Sequence, residues 1–152
     1  KDRWEAAVKA GQNFLAAGLL DKAIDAYSRG FEADWRDAYP GINAVTLMEL
    51  KDPPDPRRQE LIAVVAYAVE RRIAAGKPDY WDFATQLELT VLGRQQTQAS
   101  NALGRALAAV REKWEPETTA RNLRLIREAR ERRGDAVAWA SEIEKELDKR
   151  TR

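Results

Sequence analysis

Apolar residues recur at helical spacing along nearly the whole chain, and no stretch sustains the two-residue alternation of a strand. The densest run is Ile42, Val45, Leu47, Met48 and Leu50, a broad apolar face on a helix predicted over about 40–51. Pro40 suits the opening of that helix, because its missing N–H would have no intrahelical partner there. Trp35 and Tyr39, just upstream, are expected to pack over the junction with the preceding helices.

The same reading predicts seven further helices. A first, 2–17, places Trp4, Val8, Gly11 and Leu15 on one face and ends at Gly18. Asp21 is expected to cap a second, 22–33, with Ala23, Ile24, Tyr27 and Phe31 inward. Three prolines in four positions, Pro53-Pro54-Asp55-Pro56, break the third helix. A fourth, 57–75, is apolar over so much of its circumference (Leu61, Ile62, Val64, Val65, Tyr67, Ala68, Val69, Ile73) that a central position is expected. Asp79 caps a fifth, 80–92, closed at Gly93; the sixth covers 95–113. Pro116 opens the seventh, which ends at Gly134, and Asp135 is expected to cap the eighth, with Val137, Trp139, Ile143 and Leu147 inward. The connections are short, so neighbouring helices pack antiparallel. The expectation is an all-α chain of four hairpins, about 2–34, 38–76, 79–113 and 116–150, in a single domain 1–152.

Helical hairpins in series call for a repeat test. The tetratricopeptide spacing survives in the first hairpin as Ala7-x2-Ala10-Gly11-x2-Phe14 followed by Ala23-x3-Tyr27, with identity kept only at Gly11 and Ala23. Ala63-x3-Tyr67 and Ala99-x3-Leu103 repeat the second element. Small residues let two helices approach and aromatics fill the space between them. The pattern predicts a short right-handed solenoid of tetratricopeptide-like hairpins, with an irregular helical bundle of the same helix count as the alternative.

Composition narrows the function more than the fold. The chain has 152 residues, with 26 basic and 25 acidic side chains, so net charge gives no reason to expect nucleic acid or membrane. Cysteine and histidine are both missing, which removes disulfides, the usual zinc sites and the Ser-His-Asp and Cys-His machineries. A non-catalytic protein without cofactor or metal is expected, in the cytoplasm. The chain starts at Lys1 and its one methionine is Met48, so it reads as a piece of a longer protein.

Tyr39-Pro40-Gly41-Ile42-Asn43-Ala44-Val45-Thr46-Leu47, followed by Asp79-Tyr80-Trp81-Asp82, resembles the tetratricopeptide-like TRAFs-binding domain. That domain occurs in the central regulatory region of apoptosis signal-regulating kinases and in bacterial relatives. Glu117-Thr118-Thr119-Ala120-Arg121-Asn122-Leu123-Arg124-Leu125-Ile126 is similar to its closing segment, and the resemblance covers about 20–133. The alanine- and arginine-rich composition looks more like a bacterial member. The resemblance implies a scaffold that holds partner proteins or positions an attached domain; it carries over no binding residue and does not imply that animal TRAF proteins are the partners.

Candidate protein-binding residues are Tyr39, Asn43, Tyr80 and Trp81, the most family-like positions, although a structural role is the favoured reading: Tyr39 and Trp81 would seal hairpin junctions and Asn43 would satisfy a buried backbone group. Gln12 and Leu15 join them, because Glu5, Val8, Gln12 and Leu15 would line the first-helix groove in which tetratricopeptide domains often bind peptides. That set is not a carboxylate clamp, so an apolar segment or a helix is the expected occupant, and self-association is compatible with it. Arg121, Arg124, Arg127, Arg130 and Arg133 suggest a nucleic-acid stripe on 116–133. However, steps of three drift by about 60°, spreading the five over about 240° of the helix. Interleaved Glu128 and Glu131 instead predict a solvated, salt-bridged face through the pairs Arg124–Glu128 and Arg127–Glu131. Asp79 reads as a cap, and Asp82, Gln86 and Glu88 as surface.

Overall fold

The computed structural model describes residues 1–151, all of whose regular structure is helical: α1 (Asp2–Lys9), α2 (Asn13–Ala33), α3 (Ala38–Leu50), α4 (Arg58–Ala75), α5 (Tyr80–Leu92), α6 (Gln96–Ala108), α7 (Trp114–Arg132) and α8 (Ala140–Asp148). Successive helices pack as the pairs α1–α2, α3–α4, α5–α6 and α7–α8. The first helices of the last three pairs also pack in series, α3 on α5 and α5 on α7, while α3 reaches α7 directly. That last contact joins pairs that are not neighbours, a tighter closure than nearest-neighbour stacking.

The first pair is registered differently from the expectation. The break falls at Gly11, not Gly18, and α2 runs through both Gly18 and Asp21. Gly11 takes φ +71°, Gln12 N–H donates to the Ala7 carbonyl (3.0 Å) and Gly11 N–H to Val8 (3.1 Å), a Schellman closure that only a residue in the left-handed region completes. Gly18 costs about 1 kcal/mol in a helix interior, which the packing of Leu20, Ile24 and Phe31 outweighs. Val8 and Leu15, expected inward, are therefore about half exposed, and Phe14 is 98% exposed. Asp21 caps nothing; its carboxylate pairs with Lys51 (3.0 Å).

The same closure ends α7, at Gly134 (φ +71°), and α5, where Arg94 (φ 58°) takes the left-handed place one residue after Gly93. Asp135 then pairs with Arg94, and α8 starts only at Ala140, so its N-cap position falls at Trp139, four residues after the expected Asp135. Asp79 does cap α5: its side chain accepts from Asp82 N–H (3.2 Å) and Asp82 returns the bond to Asp79 N–H (3.0 Å).

The central helix is α3, not α4. All but three of its residues are buried, because it packs against α2, α4, α5 and α7 at once. Gly41 makes this possible: a Cβ there would lie 2.6 Å from Val65 Cγ2 and 2.8 Å from Phe31 Cδ1. On α4 only Val65, Ala68 and Val69 are buried, so its apolar surplus, Val64 and Tyr67, faces outward. Both residues of the Ala63-x3-Tyr67 repeat element are accordingly exposed, and Tyr67 packs on Trp35 (ring centroids 6.1 Å) rather than in the buried core.

The seventh helix corrects the reading of its arginines. Arg127–Glu131 forms (2.9 Å), but Arg124 pairs with Glu144 and Asp148 of α8 rather than with Glu128. Arg130 is 2% exposed. It donates to Glu49 (2.9 Å) and to the carbonyls of Val91 (2.9 Å) and Leu92 (2.7 Å), satisfying the C-terminal end of α5. Burial lowers the Arg130 pKa against the opposing pull of Glu49. Glu49 also accepts from Arg58 (2.7 Å) and Arg133 (2.8 Å), so one carboxylate of α3 ties together α3, α4, α5 and α7.

Candidate functional site

A groove of about 600 Å³ opens where α1, α3, α5 and α7, the first helices of the four pairs, come together. One wall is α3, whose start is fixed by Asp37: its carboxylate accepts from Tyr39 N–H (3.1 Å). Tyr39 is two-thirds exposed and meets Tyr27 edge to face at 6.4 Å, while Asn43 donates to the Tyr39 carbonyl (2.9 Å). Across the groove, the capped start of α5 presents Trp81. Trp81 packs edge-on against Tyr80 at 5.1 Å and, tilted by 39°, against exposed Trp114 at 5.6 Å. The rim is thus aromatic on both sides.

Polar groups line the floor and ends. Thr46 of α3, Thr85 and Glu88 of α5, and Thr118, Arg121 and Asn122 of α7 all face the groove. From α1, Lys1 Nζ donates to Asn122 Oδ1 (2.8 Å), and Asn122 Nδ2 donates onward to Glu88 Oε1 (3.2 Å). Arg72 of α4 closes one end by pairing with Asp82 (2.9 Å). Glu88 is only 7% exposed, and burial pushes its carboxyl up to about 7 against the opposing effects of the Asn122 hydrogen bond and the Lys1 charge.

Of the sequence-predicted residues, the groove brings together Tyr39, Asn43 and Trp81. Tyr80 lies beneath it, fully buried, its hydroxyl donating to Thr119 Oγ1 (2.7 Å); burial raises its pKa. Gln12 and Leu15 do not line the groove. The face they were read from does not exist, since Gly11 divides Glu5 and Val8 from Gln12 and Leu15. Lys1 and Asp2 take that place from α1. Asp82 and Glu88, expected on the surface, are both buried. A helical wheel of α5 carries part of that signal, because Glu88 lies four residues after Ala84 and one after Leu87, both buried.

Among the described residues, no cluster of acidic side chains is arranged to hold a metal ion, and no helix is long and apolar enough to cross a membrane.

Residues 1–146 match the model of the MAP3K TRAFs-binding domain, and the chain belongs to that family. It is 34% identical over 141 residues to the mitogen-activated protein kinase kinase kinase nsy-1 of Caenorhabditis elegans, an alignment covering 88% of this chain. The chain spans only 9% of that kinase. No solved structure matches it. The family match extends beyond the 20–133 of the sequence resemblance to take in α1, which supplies Lys1 and Asp2 to the groove.

Proposed function

We propose that this chain is the non-catalytic protein-interaction and regulatory module of a larger cytoplasmic signalling protein, and that it holds its partner in the groove between α1, α3, α5 and α7. The observation that carries this reading is the composition of that groove. It is lined by the first helix of every hairpin, as expected of a tetratricopeptide-like scaffold, and has aromatic rims over a polar floor. Aromatic side chains supply large contact area at small entropic cost and dominate interface energetics. The family description points to TRAF proteins as one partner class, and adjacent domains of the same chain are another.

Nucleic acid is the weaker reading. Arg124, Arg127, Arg130 and Arg133 are all engaged with carboxylates within the fold, which leaves no continuous basic stripe on α7. Self-association draws on a different surface, the exposed Val8, Phe14 and Leu15 beside the α1–α2 turn.

A random-peptide library displayed on phage and selected against the chain tests the reading. Bound peptides are located by chemical-shift changes in the labelled protein. Selected peptides are expected to move the Trp81 indole and the Asn43 and Asn122 side-chain amides. Peptides that map to the outer faces of α4 or α6, or a library that yields no binder, would overturn it.

A further inference from the structure

The carboxylates that the fold buries are Glu49, Asp55, Asp82, Glu88, Glu115 and Glu144. Five of them have an arginine within ion-pair distance: Arg58, Arg130 and Arg133 on Glu49, Arg57 on Asp55, Arg72 on Asp82, Arg111 on Glu115, and Arg127 on Glu144. Glu88 is the exception. Its Oε1 accepts from the neutral amide of Asn122, and among the described residues no donor reaches Oε2. Burying a carboxylate without a cation is costly, and this chain has 26 basic side chains with which to avoid it. The exception also lies in the groove rather than in the sealed core.

We propose that Glu88 is the specificity-determining counter-charge of the groove, and that it receives an arginine or lysine side chain from a segment of the partner protein. The proposal rests on the groove being the protein-binding surface and deepens it by naming what the surface selects. An incoming aliphatic stem would run between Tyr39 and Trp81, with its charged head at Glu88 Oε2, while Asn122 holds Oε1 in place. Lys1, whose charge acts on Glu88, makes its hydrogen bond to the Asn122 amide oxygen and forms no ion pair with Glu88. The other charged groups facing the groove are Asp2 from α1, Asp37 before α3, Arg72 from α4, Asp79 and Asp82 at the start of α5, and Arg121 from α7. The acidic ones outnumber the basic ones, which favours a cationic guest.

N-acetyl-arginine methylamide and N-acetyl-citrulline methylamide are the probes, identical in shape and different by one charge. Both are titrated into the labelled protein and followed at the Asn122 side-chain amide and the Trp81 indole. The arginine probe is expected to bind about tenfold more tightly than the citrulline probe. The preference should vanish in Glu88→Gln, which keeps the acceptor for Asn122, and should weaken as pH falls below 7 and Glu88 protonates. Equal affinity for the two probes in the wild-type protein overturns the proposal, as does a preference that survives in Glu88→Gln. That wild-type comparison needs no variant to fold. If library peptides occupy the groove but no arginine preference appears, the counter-charge fails while the groove stands; if peptides and probes both bind elsewhere, the groove fails too.

Discussion

Glu49 and Glu88 sit on adjacent packed helices and are both almost completely buried, yet they meet opposite surroundings. Glu49 collects three guanidinium groups from two other helices and closes the fold. Glu88 has a neutral amide on one oxygen and the groove beside the other. The cost of removing a charge from water is offset within the chain at the first site and not at the second. A buried charge completed internally marks architecture; one left incomplete on a concave surface marks a place where a partner can complete it.

The largest expected effect comes from breaking the completed site. Arg130→Ala leaves the carbonyls of Val91 and Leu92 without their donor and Glu49 short of one cation. It should destabilise the fold by about 3–5 kcal/mol, read from the denaturant midpoint. Replacing Glu49 and Arg130 together by leucine and methionine should not recover that loss, because Arg58 and Arg133 then lose their carboxylate and the carbonyls of Val91 and Leu92 still lack a donor.

The open site should respond in the other direction. The Glu88 pKa is about 7 in the fold against a reference of 4.5. The folded chain therefore holds the extra proton between those values, and this group's contribution to stability falls as pH rises through that window. Glu88→Gln removes the penalty and should stabilise the protein above pH 7 by up to about 3 kcal/mol, with little change near pH 4. Thermal melts of both proteins at pH 4.5 and pH 8 give the difference. A Glu88→Gln variant less stable than wild type at pH 8 would erase the distinction between the two carboxylates.

Two smaller effects sharpen it. Tyr80→Phe removes a neutral buried hydrogen bond beneath the groove and should cost about 1 kcal/mol, without altering the preference between the two probes. Asp79→Ala opens the capping box of α5 and should cost about 1 kcal/mol. Because Asp82 loses part of its anchoring, it should also loosen the Trp81 rim, seen as indole line broadening.

Those two sites also divide what the sequence discloses from what it hides. Asp79 was legible as a cap because capping is local: an acceptor side chain, three residues and a helix start. The α3 run was legible because its apolar density and Pro40 report on one segment. Gly11 and Gly18 look alike in the sequence, and the choice between them is made by which turn satisfies the α1 carbonyls and by packing of α2 on α3. Apolar α4 looked central because periodicity counts residues and not neighbours. Arg130 looked like one member of a solvated series, since its partners lie 81 residues away at Glu49 and about 39 away at Val91 and Leu92. Glu88 was hidden for the converse reason: what distinguishes it is a missing partner, and that is visible only when the other buried carboxylates have been matched to theirs.

The most direct test of the contrast is a carbon-13 titration of the Glu88 side-chain carboxyl in the free protein. A midpoint near pH 7 is the expected result, from a carboxyl that is buried without a cation. A midpoint at the ordinary glutamate value near 4.5 would contradict it, and would mean that solvent or an internal cation already stabilises the ionised carboxylate, so that Glu88 is not left incomplete for a partner.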